Sequence, residues 1–124
     1  GDIGQGRKAL EDFNRAISIN PDLTEAYKYR GGLLGMAQQY EASLADLNKY
    51  LEKNPNEADI YYNRALTLVN LNRSQEALAD LNKALELAPD FTRAYRARGN
   101  VRKQLGDEAG GDADLKKFEQ MGDK

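Results

Sequence analysis

Apolar residues recur along this chain at spacings of three and four. In one stretch they are Ala77, Leu78, Leu81, Ala84, Leu85 and Ala88, an interval that places them on one side of an α-helix. Related stripes occupy ALEDFNRAISINP (9–21), SLADLNKYLEKNP (43–55) and ALADLNKALELAP (77–89), with a more divergent copy in GDADLKKFEQMG (111–122). A second shared segment follows each of the first three: EAYKYRGGL (25–33), DIYYNRALT (59–67) and RAYRARGNV (93–101). This patterning predicts helices over about 6–19, 24–37, 41–53, 58–70, 74–87, 92–104 and 107–120, joined by short turns.

The only prolines, Pro21, Pro55 and Pro89, stand 34 and again 34 residues apart, each just after a stripe. Each is followed by Asp22, Asn56 or Asp90, residues suited to capping the next helix. A fixed period of this length marks a repeat array. One helix–turn–helix unit buries little alone, so neighbours must stack to build a continuous core. The expected organisation is all-α: a single array over 1–124, made of a half repeat (1–22) and repeats at 23–56, 57–90 and 91–122, with no second domain.

These residues resemble the tetratricopeptide repeat family over almost the whole chain. The resemblance is carried by the 34-residue period, by Tyr27, Tyr61 and Tyr95 near the start of each first helix, and by a small residue four positions later (Gly31, Ala65, Gly99). A small residue also opens each second helix (Ala9, Ser43, Ala77), and proline closes it. The resemblance implies a right-handed superhelical stack of antiparallel helix pairs. It also implies a concave groove, lined by the first helices, that holds an extended peptide or a partner's helix.

Composition narrows the chemistry. With no His and no Cys, the chain has no histidine base, thiol nucleophile, disulfide or imidazole or thiolate metal site. No calcium-loop pattern is present, and no cofactor, metal or catalytic residue is expected. A charged fraction of 31% with net charge −2 describes a solvated, nearly neutral surface and gives no reason to expect nucleic acid. No apolar run approaches the roughly 18 residues of a membrane span, and GDIGQGRKAL has no signal-like stretch. The lack of cysteine fits the cytoplasm, the favoured location.

Two charged series run through the repeats: Arg30, Arg64 and Arg98, and Asp12, Asp46, Asp80 and Asp114. Each arginine precedes a small packing residue, so its stem is expected between helices with its head paired to an aspartate. Which aspartate meets which arginine is open at this point, and the series is kept out of the binding site.

The ends differ. Leu10/Ile17, Leu44/Leu51 and Leu78/Leu85 are expected to face the following unit, whereas the equivalents in the last copy are Asp112 and Glu119. Two carboxylates would be costly to bury, so the array is expected to stop there. At the other end Ala9, Phe13 and Ala16 form a face that would pack on a preceding helix. The chain reads as a piece of a longer protein, or as one whose face around Phe13 is covered by a partner or by a second copy in a homo-dimer.

The binding expectation rests on the helix over 92–104, which carries Arg93, Arg96, Arg98, Arg102 and Lys103 and no acidic residue. Arg93, Arg96, Asn100 and Lys103 share one face. One period earlier that face carries Asp59, Tyr62, Leu66 and Val69, and two periods earlier Glu25, Lys28, Gly32 and Gly35. The expected peptide-binding set is Lys28, Gly32, Tyr62, Asn63, Leu66, Arg93, Arg96 and Asn100, suited to an apolar side chain beside an acidic group or C-terminal carboxylate. Some co-chaperone members of the family grip a partner's C-terminus with Lys, Asn, Asn, Lys and Arg. Lys28, Asn63 and Arg93 stand at three of those places, with Gly32 and Ala97 at the other two. Gly32 and Gly35 would lie on the groove side, where missing side chains let a ligand backbone approach. The expected function is a non-enzymatic protein-binding module for an acidic partner segment; the alternative is a self-associating scaffold.

Overall fold

The structure, a computed structural model, describes residues 2–122. Among them are seven helices and no strand: α1 (Asp2–Ile19), α2 (Thr24–Met36), α3 (Tyr40–Lys53), α4 (Ala58–Asn70), α5 (Ser74–Leu87), α6 (Thr92–Gln104) and α7 (Glu108–Gly122). The expected all-α class holds. The chain divides into two compact units, Gly1–Pro55 with α1–α3 and Asn56–Lys124 with α4–α7.

The period survives in backbone conformation. α2, α4 and α6 each end in a three-residue turn whose second residue is left-handed: Gln38 at φ 64°, Asn72 at φ 60° and Gly106 at φ 91°. The next amide then bonds back across the last turn, Gln39 to Leu34 at 2.8 Å, Arg73 to Leu68 at 2.9 Å and Asp107 to Arg102 at 2.8 Å. Such bonds satisfy the carbonyls left over at a helix end and turn the chain into a hairpin. Gly106 and Asn72 adopt this conformation readily; Gln38 does so at a cost.

The expected caps are absent. Leu23, Glu57 and Phe91 occupy the cap positions of α2, α4 and α6, and none makes a side-chain cap bond. Asp22, Asn56 and Asp90 stand one residue too early. The first turn is tightened instead, with the amides of Ala26, Ile60 and Ala94 donating three residues back at 3.1–3.2 Å, a 3₁₀-type solution for orphan donors.

Each hairpin closes on a crossing of small residues: Gly31 with Ser43, Ala65 with Ala77, Gly99 with Gly111. Ser43, Ala65 and Ala77 are fully buried, and Ser43 Oγ donates to the Gly31 carbonyl at 2.7 Å. A Cβ at Gly99 would stand 2.9 Å from the Gly111 oxygen, and one at Gly31 would meet Leu47 at 3.0 Å. Around these crossings each unit has its own core, which includes Leu47 and Tyr50 in the first and Ile60, Leu81, Ala84 and Ala94 in the second. Burying one such leucine contributes about 1.5–3 kcal/mol.

The charged series resolves into hairpin ties. Arg30 clasps Asp46, Arg64 clasps Asp80 and Arg98 clasps Asp114, each through two hydrogen bonds of 2.7–2.9 Å. The aspartates are only 4–5% exposed. Arg30 also donates to Asn14 of α1, and Arg98 to Asn82 of α5, both at 3.1 Å. Below each guanidinium lies the tyrosine three residues earlier, 5.5–5.6 Å from ring centroid to charge. The Tyr27 and Tyr95 hydroxyls donate to the carbonyls of Pro21 and Pro89 at 2.8 and 2.9 Å. The period therefore repeats tyrosine, arginine, aspartate and proline because they form one bonded cluster.

Candidate peptide-binding face

Of the eight residues expected to bind, Lys28 and Gly32 lie on α2 in the first unit, and the other six lie in the second. Lys28 is half-buried, 3.9 Å from Glu25 and 5.3 and 5.4 Å from the ring centres of Tyr29 and Tyr50. At Gly32 an added Cβ would meet nothing within 4 Å.

The second unit concentrates the chemistry. α4 and α6 are neighbours, and Tyr62 of α4 packs against Phe91, ring centres 5.0 Å apart and tilted by 44°. Tyr62 is 9% exposed, so its ring forms a floor and offers little surface to a ligand. The Arg93 guanidinium covers that floor at 5.4 Å from Tyr62 and 5.7 Å from Phe91. Arg96 lies 5.3 Å above the Phe118 ring of α7. Asn63, Leu66 and Asn100 are exposed. Leu66, at 39%, is the large apolar side chain of α4 that faces solvent.

The five cations of α6 separate into two groups. Arg98 and Arg102 both hold Asp114, Arg102 at 2.9 Å, and Lys103 reaches Asp112 at 2.7 Å and Glu108 at 3.7 Å. The Asp112 hydrogen bond holds the Lys103 amine above its ordinary pKa. Lys103, grouped by spacing with Arg93 and Arg96, is thus turned to α7. Arg93 and Arg96 have no carboxylate within ion-pair distance among the described residues; both are exposed and rest on aromatic faces. A guanidinium stacked in this way keeps its N–H edges for planar anions.

Phe91 and Phe118, two of the chain's three phenylalanines, were not among the expected site residues. The signal available was position: Phe91 falls just before the basic helix, and Phe118 takes the register that Ala84 and Tyr50 hold in earlier copies. At the other end Phe13 is partly covered, its ring stacked on Tyr29 with centres 5.8 Å apart.

The described residues hold no cluster of three or more acidic side chains placed for a metal ion, and no helix long and apolar enough to cross a membrane.

Residues 58–91 match the family model of the tetratricopeptide repeat. No curated protein matches the chain. Among solved structures, MamA 41-end from Desulfovibrio magneticus RS-1 superposes with a TM-score of 0.91 at 19% identity, covering 97% of this chain and 68% of that one. A crystal structure of MamA gives a TM-score of 0.89 at 24% identity, covering 98% of this chain and 71% of that one. At these identities the likeness is one of fold. The chain carries a tetratricopeptide repeat at 58–91 and has the helical-solenoid fold of that repeat class. Repeat and fold support a role in protein interaction or scaffolding.

Proposed function

We propose that this chain is a non-enzymatic protein-interaction module whose second unit holds an acidic peptide segment across α4 and α6. The observation that carries the reading is the division of charge on α6. Three cations are neutralised by α7, while Arg93 and Arg96 are exposed and supported from below by Tyr62, Phe91 and Phe118. Leu66 supplies an apolar contact beside them, and Asn63 and Asn100 supply exposed amides for a peptide backbone. Each charge-assisted hydrogen bond formed there contributes about 1.5–3 kcal/mol.

Fluorescence anisotropy with a panel of labelled acidic and basic peptides, each with a free or an amidated C-terminus, tests the reading. Acidic peptides bind more tightly, and Arg93→Glu with Arg96→Glu weakens them at least tenfold while circular dichroism stays unchanged. Sensitivity to amidation identifies a terminal carboxylate as the acidic group; insensitivity identifies side chains. Equal binding of acidic and basic peptides, or indifference to the double reversal, reduces this face to a solvated helix surface.

A further inference from the structure

Arg93 and Arg96 stand three residues apart on α6, where Cβ atoms are about 5–6 Å apart, yet their heads are laid toward different neighbours. The Arg93 guanidinium rests on Tyr62 of α4 and on Phe91, at 5.4 and 5.7 Å, and the Arg96 guanidinium rests on Phe118 of α7, at 5.3 Å. Among the described residues α6 packs against both of those helices, while α4 and α7 do not pack together. The rings therefore draw the two charges apart rather than bringing them to one point. The other cations of α6 do not fill the gap: Arg98 and Arg102 are held by Asp114, and Lys103 by Asp112.

We infer that the partner segment carries two acidic side chains on alternate residues and lies extended across α6, one carboxylate on Arg93 and the other on Arg96. The assignment rests on the acidic-peptide reading and narrows it to a spacing. One carboxylate has two oxygens on a single carbon, which match the fork of one guanidinium; it does not serve two that are held over separate rings. In an extended segment alternate side chains leave the same side about 6.4–6.8 Å apart, whereas adjacent ones leave opposite sides. Alternate spacing thus fits two heads that diverge from neighbouring points on one helix face, and an adjacent pair turns one of its carboxylates to solvent. Each guanidinium is supported by its ring before a ligand arrives, so the distance between anions becomes a criterion of selection.

Fluorescence anisotropy of the whole chain with labelled peptides of equal composition, both ends blocked, tests the spacing. Two glutamates are placed adjacent, on alternate residues or at opposite ends of a serine–glycine frame with one leucine, and a counterpart carries lysines instead. The alternate peptide binds about tenfold more tightly than the other two acidic ones, the contribution of one charge-assisted contact. Arg93→Gln and Arg96→Gln, at exposed positions, leave circular dichroism unchanged, and each reduces the alternate peptide to the level of the adjacent one. Changing one glutamate of the alternate peptide to glutamine removes the effect of one arginine substitution and keeps that of the other; changing the second glutamate does the reverse. Equal binding of the three acidic peptides, all still preferred over the lysine counterpart, overturns the two-point assignment and leaves the acidic-peptide reading standing. Coupling of both arginines to the same glutamate overturns it in favour of a single anion. No preference over the lysine counterpart overturns both.

Discussion

Arg64 and Asp80, sixteen residues apart on α4 and α5, face each other as a two-pronged pair: Nε donates to Oδ2 at 2.8 Å and Nη2 to Oδ1 at 2.7 Å. Asp80 is 5% exposed, so the arginine supplies most of what replaces water around a buried carboxylate. The Asp80 hydrogen bonds, opposed in part by burial, hold the Arg64 guanidinium above its ordinary pKa.

Removing that arginine is therefore costly in stability and neutral in binding. Arg64→Leu leaves Asp80 buried without its counter-ion, a loss on the order of 3 kcal/mol. Chemical denaturation measures it. Peptide affinity of the folded fraction is expected to stay within twofold, since Arg64 is turned to α5; lost affinity at unchanged stability would reverse this assignment.

Phe118 supports Arg96 from below, 5.3 Å from ring centre to guanidinium. An exposed contact of this kind is worth about 0.5–1 kcal/mol. Phe118→Leu should weaken an acidic peptide about two- to fivefold, and the deficit should shrink as salt rises. An unchanged Kd at low salt shows that the ring plays no part in holding the arginine.

Gly32 and Gly99 respond to alanine in opposite directions. At Gly32 the added methyl enters open space, and α2 gains about 1 kcal/mol of helix propensity. At Gly99 it strikes the Gly111 carbonyl at 2.9 Å, where backbone must move and overpacking costs about 1–3 kcal/mol. Thermal melts of the two single variants, one rising and one falling, check the pair.

Gln38 holds a left-handed conformation at φ 64° where the equivalent positions have Asn72 and Gly106. Gln38→Gly should stabilise the first unit by about 1 kcal/mol, the strain of a side chain in that region. Hydrogen exchange of the α2 and α3 amides reports the gain locally, and faster exchange would contradict it.

Glu76 accepts two hydrogen bonds from Arg73, at 2.6 and 2.8 Å, which lower its pKa below the usual carboxylate value. A depressed carboxylate stabilises the fold above its unfolded pKa and loses that contribution as pH falls through the folded value. NMR titration of Glu76 should give a depressed midpoint that moves upward in Arg73→Met. Coincident midpoints in the two proteins would count against the pair.

Helices were legible because apolar spacing and the 34-residue period reinforce each other: the bounds predicted for 58–70, 74–87 and 92–104 agree with α4, α5 and α6. The first helix begins earlier than predicted, at Asp2, because GDIGQG lacks the stripe that marks the others. Partner choice for Arg30 was not legible, since it depends on how a three-residue turn aligns two helices. Caps misled for a related reason: Asp22 and Asp90 have the right chemistry one position too soon. Exposure of Arg93 and Arg96 followed from spacing, but the turning of Lys103 toward Asp112 required the geometry of α7. Tyr62 shared their face by spacing and is nevertheless buried, because Phe91 closes over it.

The third hydrogen bond of Arg30, to Asn14, has a consequence for how the chain comes apart. One guanidinium holds its own hairpin through Asp46 and the preceding helix through Asn14; Arg98 does the same with Asp114 and Asn82. Where stability is a sum of unit terms and nearest-neighbour terms, a residue that belongs to both makes the loosening of one helix pair penalise the next. Unfolding within each unit is thereby drawn toward a single cooperative event, to which the asparagine contact adds beside the packing of the same helices.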